Sequence, residues 1–202
     1  MLVAVTTGIR RGELFGLRWS DIDLRAARLT VNQSLEWANG KPTFKAPKTK
    51  GSRRTITLPT LAVQALKAHK TEQAAQHLRL GFGKPELVFT RDGEPVSLDY
   101  VSRTFGEMIA ELDVTPITFH GLRHTHISHQ LMDGVHVKVV SERAGHANVS
   151  ITLSVYATFL PNLQDKAAEG MDAWLRSELA EEVGGKSVAI RPFPTKPDKL
   201  SD

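Results

Sequence analysis

The chain of 202 residues contains no cysteine. Disulfides and thiolate metal sites are therefore excluded, and a cytoplasmic location is expected. Aromatic residues make up only 6% of the chain, and two of them are tyrosines, so chemistry that needs a phenol has few places to occur. No apolar run is long enough to span a bilayer, so no membrane partner is expected. The N-terminus lacks the basic, apolar and small-residue succession of a signal peptide. No internal repeat is visible. What is present is ordinary for a globular protein: 41% hydrophobic and 24% charged residues, in a length sufficient for one well-cored domain with a tail. The net charge of +4 permits a nucleic-acid partner without establishing one.

Local patterns predict a mainly helical α+β domain whose strands cluster early. Leu2, Val3 and Val5 read as the last part of a buried helix interrupted by Gly8; so abrupt a start suggests a fragment. Glu13, Leu14, Leu17 and Trp19 resume a helical spacing to about Ser20-Asp21. Arg28 to Leu35, Thr43 to Lys45 and Arg53 to Leu58 read as three strands of a small antiparallel sheet, with a hairpin signal at Asn39-Gly40 and a basic tip at Lys48 to Ser52. A helix follows from Thr60 to about Leu80, with Leu61, Ala65, Leu66, Ala68 and His69 on its apolar side. Leu87 to Thr90 reads as extended, and Arg91-Asp92-Gly93 as a turn. Ser97 opens a helix to about Leu112 carrying Val101, Phe105, Met108, Ile109 and Leu112. Further helices are expected at about 119–132, 136–144, 149–158 and 162–181, the last with a stripe of Leu163, Ala167, Met171, Trp174 and Leu175. The tail 182–202, with Gly184-Gly185 and several prolines, is expected to be disordered.

One ordered set of groups stands out. His120-Gly121-Leu122-Arg123-His124 is followed by Gly145-His146 and then by Tyr156. Arginine matches a phosphate in two-pronged geometry, imidazole moves protons near neutral pH, and a phenol can act as a covalent nucleophile. Thr118 is a plausible N-cap that places His120 and Arg123 at a helix N-terminus, where anions are favoured. Upstream, Arg10 and Glu13 are three apart and share a helix face if helical. Taken alone, Arg10 could equally be a solvated arginine in a surface ion pair, Lys48 a solvated turn residue, and Tyr156 a packing aromatic. His120, His124, His126 and His129 also suggest a metal site. Their positions, however, lie on several sides of one helix, with no carboxylate before Asp133, so neither metal nor cofactor is expected.

Together these pieces resemble the catalytic domain of the tyrosine recombinases, the phage integrase family. Thr7-Gly8-Ile9-Arg10, with Glu13-Leu14 and Leu17-Arg18-Trp19-Ser20-Asp21-Ile22, is similar to the family's first arginine box. Pro47-Lys48-Thr49-Lys50, with Ser52-Arg53-Arg54, resembles its lysine hairpin. His120, Leu122, Arg123, His124 and Thr125 resemble the second box. Glu142-Arg143, Gly145-His146, Thr152 and Tyr156 resemble the third. The resemblance implies a DNA recombinase in which Arg10 and Arg123 clamp the scissile phosphate and His146 donates to it. His120 would assist proton transfer, Lys48 would protonate the leaving oxygen, and Tyr156 would form a 3′-phosphotyrosyl ester. Arg11 and Lys50 compete with Arg10 and Lys48 for these assignments. Gly121, Ala144 and His126 depart from the usual family residues without removing a catalytic group. The resemblance further implies a double-stranded DNA partner, a homotetramer on two DNA sites and the last helix docking in cis or trans. It places a truncated catalytic domain at 1–181, without the upstream core-binding domain. A type IB topoisomerase and a non-catalytic DNA-binding remnant are the competing readings.

Overall fold

The computed structural model of the chain describes residues 1–47, 53–159 and 163–182, with Tyr156 described in its backbone only. Lys48 and Lys50, the rest of the expected basic tip, and the tail from 183 lie outside the described residues. The chain divides into two compact units, Met1–Phe159 and Leu160–Asp202.

The first unit opens with α1 (Leu2–Thr7), which ends where Gly8 adopts a left-handed conformation, φ 63°. Arg10 is the N-cap of α2 (Arg11–Phe15), and Glu13 accepts its backbone N–H at 2.8 Å. The helical spacing expected to reach Asp21 stops at Phe15, and only a 3-10 turn, Trp19–Asp21, follows. The stop has a packing cause, because α2 lies directly on a strand backbone. A Cβ at Gly12 would sit 2.5 Å from the Leu35 carbonyl oxygen, and one at Gly16 would sit 2.9 Å from the Leu35 nitrogen.

Three strands form an antiparallel sheet in the order β1 (Ile22–Asp23), β2 (Arg28–Val31) and β5 (Arg54–Thr57), with Leu29 opposite both Ile22 and Ile56. The expected three-stranded sheet is thus present with a different membership. The run Arg28 to Leu35 is not one strand. It divides at Asn32 and Gln33, whose side-chain amides donate to Asp21 and to the Gly16 carbonyl, each at 2.8 Å. β3 (Ser34–Ala38) and β4 (Lys41–Lys45) then pair as a separate ribbon. Its turn at Asn39-Gly40 has φ of 52° and 72°, as a tight hairpin requires.

α3 (Thr60–Arg79) covers the sheet with a face that keeps the expected Leu66 and His69 but otherwise differs from the expected one. Ala62, Leu66, Gln73 and His77 are buried, while Leu61 is 66% exposed and Ala65 and Ala68 face solvent. The buried face includes polar residues because they have partners. Gln73 accepts the Trp19 indole N–H at 2.8 Å and donates to the Leu87 carbonyl at 3.1 Å, and His77 bonds the Gly83 carbonyl at 2.8 Å. The short hairpin β6 (Thr90–Arg91) and β7 (Glu94–Pro95) turns at Asp92-Gly93. α4 (Leu98–Ala110) buries Val101 and Phe105 and leaves Met108 exposed; it ends before Leu112, which is also exposed. α5 (Phe119–Met132), α6 (Val137–Ala144) and α7 (Val149–Phe159) follow, each close to its predicted bounds. Thr118 caps α5, accepting the Gly121 N–H at 3.1 Å.

The main core joins Val3, Leu14, Leu17, Leu29, Ile56 and Phe119; a second joins Ile127, Leu131, Val140 and Ala144 across α5 and α6. In the second unit α8 (Leu163–Glu182) carries Met171, Trp174 and Leu175, all exposed. Among the described residues no helix is long and apolar enough to cross a membrane.

The same substitution should act with opposite sign at two glycines. Gly12→Ala pushes a methyl into the β3 backbone and is expected to cost about 2 kcal/mol. Gly106, inside α4 with no neighbour within 4 Å of an added Cβ, should gain about 0.5–1 kcal/mol from the same change. Urea unfolding midpoints at constant slope read both.

Candidate active site

The site is built on the C-terminus of α6. An α-helix leaves its last carbonyls without intrahelical partners, and its dipole makes that end favour cations. Here Gly145, at φ 69°, closes α6 with two backbone bonds: its own N–H reaches the Glu142 carbonyl and that of His146 reaches Ser141, both at 3.0 Å. This pattern satisfies two carbonyls and leaves the next three to side chains. Each of those three accepts from a different arginine. The Arg143 carbonyl accepts from Arg54 Nε at 2.8 Å, Ala144 from Arg123 Nη1 at 2.7 Å, and Gly145 from Arg10 Nη2 at 2.6 Å.

One carboxylate balances this group. Glu13 is 5% exposed. Arg10 Nη1 reaches its Oε1 at 2.9 Å, and Arg54 grips both oxygens through Nη1 and Nη2 at 3.0 and 2.8 Å. Burial opposes the charged form of Glu13, but Arg54 and Arg10 outweigh it and hold the carboxyl below its usual range. Arg123 is 4% exposed, and its Nη1 also donates to the Gly8 carbonyl at 2.6 Å. Burial, with Arg10 alongside, pushes its guanidinium down to about 10, so it stays charged at neutral pH. Its Nη2 is buried and has no hydrogen-bond partner among the described residues. Arg11, the rival of Arg10, turns away to donate to Ser102 Oγ on α4. A cleft of about 630 Å³ beside the site is lined by Arg10, Arg11, Ser34, Ser102, Thr118 and His120.

Two histidines border the arginines. His146 Nδ1 lies 2.7 Å from the buried Thr152 hydroxyl on α7. Burial, then Arg123, Arg10 and Arg54, press its pKa down to about 4, so the ring is neutral at pH 7. His120 is exposed, with its ring edge-on to that of His124 at 4.8 Å. Its pKa is lowered by partial burial, then by His124 and Arg123. Tyr156 falls within α7, one turn beyond Thr152. The structure thus brings Arg10, Arg123 and His146 together, sets His120 at the rim of the adjoining cleft and places Tyr156 on the helix that supports His146. Lys48 lies outside the described residues. Among these, no three His, Asp or Glu side chains converge on a metal-sized space.

The sequence pattern of the Phage integrase family matches residues 1–162. The chain belongs to that family. A "Tyrosine recombinase XerC-like" protein of Caldanaerobacter subterraneus subsp. tengcongensis is 32% identical over 85% of the chain and 48% of its own length. The "ICEBs1 integrase" of Bacillus subtilis is 31% identical over 84% of the chain and 47% of its own length. The chain therefore spans about half the length of the curated relatives it matches. Its fold is similar to that of the Tn1549 transposon integrase, solved in complex with a circular intermediate DNA, with a TM-score of 0.68 and 21% identity over 84% of this chain and 57% of that one.

Within this phage integrase fold, two arginines of the site carry no role in the sequence reading. Arg54 sits in an alternating strand, and Arg143 precedes the Gly145-His146 pair. Both lie within the stretches that resemble the family's lysine hairpin and third box, which is the signal that could have drawn attention to them. Arg143 has a structural task. Its Nη2 donates to the Thr6 and Thr57 carbonyls at 3.0 and 3.1 Å, and its Nε donates to His126 Nε2 at 3.2 Å. His126 Nδ1 lies 2.9 Å from the Val5 carbonyl. A carbonyl only accepts, so Nδ1 carries the proton and the ring is neutral. Burial and Arg143 lower its pKa to about 4.

This gives a pH prediction with a definite sign. The unfolded chain protonates His126 near 6.5, and the folded chain only near 4. The unfolded state therefore binds the proton first. The stabilisation is complete above pH 6.5 and is lost as pH falls toward 4, by roughly 3 kcal/mol for a fully buried ring. Urea unfolding of the wild type and of His126→Gln across pH 7 to 4 should show a shallower slope in the variant.

Proposed function

We propose that this chain is the catalytic part of a site-specific DNA recombinase that cuts and rejoins strands through a covalent tyrosyl ester. The observation that carries the reading is the buried Nη2 of Arg123, without a partner among the described residues, beside two further guanidiniums that share one carboxylate. Buried donors without partners are rare and costly. A dianionic transition state at phosphorus would supply the missing acceptor and the missing negative charge.

In this reading Arg10 and Arg123 hold the two non-bridging oxygens of one phosphate. His146 acts as a neutral donor. With the Thr152 hydroxyl donating to Nδ1, the proton sits on Nε2 and is presented to the phosphate. A neutral His120 accepts the proton of the Tyr156 phenol. The phenolic oxygen bonds to phosphorus, the bond to the 5′ oxygen breaks, and that oxygen takes a proton from Lys48. The 3′-phosphotyrosyl ester conserves the energy of the broken bond. Attack by a 5′ hydroxyl of a partner strand reverses the steps and joins new ends. Proximity and fixed charge supply the rate without a cofactor. The partner is double-stranded DNA, in a tetramer spanning two duplexes, and the catalytic domain covers 1–181 alongside an upstream DNA-clamping domain.

A pool of nicked duplexes of varied sequence, incubated with the chain alone and with the chain joined to an N-terminal DNA-clamping domain, tests this. Covalent adducts are captured and sequenced. The wild type should give an adduct on a defined site and Tyr156→Phe none, while Arg123→Ala should slow adduct formation about a hundredfold, or ~3 kcal/mol. Equal adduct yield from Tyr156→Phe refutes the nucleophile. Relaxation of plasmid without a preferred site would mark a type IB topoisomerase, and binding without any adduct a non-catalytic remnant.

A further inference from the structure

Arg54 joins Glu13 on α2 to the C-terminal end of α6. It stands at the start of β5, on the strand that leads out of segment 48–52, and its side chain is 8% exposed. Its guanidinium fork closes on both oxygens of Glu13, at 3.0 and 2.8 Å, while Nε reaches across to the Arg143 carbonyl at 2.8 Å. It is also seated flat against Gly145, where an added Cβ would come within 2.6 Å of Nη1.

We propose that Arg54 is a positioning residue for the phosphate site, setting the distance between Arg10 on α2 and the Gly145–His146 corner after α6. This rests on the recombinase reading above, and it gives Arg54 no contact with DNA. The reasoning is geometric. Arg10 has two anchors, Glu13 on its own helix and the Gly145 carbonyl on another element. Those anchors belong to segments far apart in sequence, and Arg54 bonds one of them and packs against the other. If it is shortened or replaced, Glu13 loses the partner that fixes both its oxygens, and the α6 end loses one of its three arginine caps. Lysine keeps the charge, but its three donors leave from one nitrogen, whereas Arg54 bonds its three acceptors through three separate nitrogens held in a plane. The position therefore requires arginine for its shape as well as its charge.

This role makes Arg54→Lys more informative than a charge deletion. The wild type, Arg54→Lys and Arg54→Gln are first checked for cooperative unfolding, and assays run well below the lowest midpoint. Single-turnover adduct formation on the captured duplex is compared with equilibrium binding of the same duplex. Arg54→Lys should form adduct at least tenfold more slowly while binding duplex within about threefold of wild type. The His146 ring signals and the Arg10 Nε–H signal in NMR spectra should shift in both variants without DNA. A folded Arg54→Lys with the wild-type adduct rate overturns the positioning role and leaves the recombinase reading standing. If the wild type forms no adduct, the recombinase reading fails, and the NMR signals decide the positioning role alone. Unchanged His146 and Arg10 signals in Arg54→Lys then refute it, and shifted ones support it.

Discussion

The arrangement depends on three consecutive carbonyls at the end of α6. A helix C-terminus must find partners for its last acceptors, and here Arg54, Arg123 and Arg10 provide them in order. Two of these arginines come from 89 and 135 residues upstream in sequence. The helix end thus does two jobs at once. It gathers cations that would otherwise repel one another, and it fixes the corner that carries His146. The left-handed Gly145 is needed for both, because it turns the chain and leaves room for the Arg54 guanidinium.

Charge balance follows from that gathering. Arg10 and Arg54 share Glu13, and Arg123 lies within reach of its charge. The same positive field, together with burial, holds His146 and His120 toward their neutral forms. A neutral imidazole can donate one hydrogen bond or accept one proton, which an imidazolium cannot do both ways. The electrostatics that suit the site to an anion therefore also set the protonation of the histidines around it.

Much of this was readable in the residues. Gly8 and Gly145 signalled helix ends, Asn39-Gly40 a hairpin, and Thr118 a cap, because each uses local backbone chemistry that sequence encodes directly. Arg10, Arg123 and His146, which the fold brings together, stand out by their order in the chain. What sequence could not show was long-range. The break at Asn32-Gln33 depends on Asp21 and the Gly16 carbonyl, and the buried polar face of α3 depends on Trp19 and Leu87. Leu61 reads as core but faces water, because the face that packs inward carries Ala62, Leu66, Gln73 and His77. Arg54 looked like one more basic residue of the hairpin. Its role appears only when β5, α2 and α6 are seen together.

In the function proposed above, this cluster is a preformed seat for one phosphodiester. A crystal structure of the Tyr156→Phe protein on its captured duplex tests it most directly. The account predicts one phosphate with its non-bridging oxygens within hydrogen-bonding distance of Arg10 and Arg123, the latter through Nη2, and with His146 Nε2 beside it, while the three carbonyl bonds at the end of α6 persist. A phosphate bound elsewhere, or an Arg123 Nη2 still unpartnered with DNA in place, would contradict it.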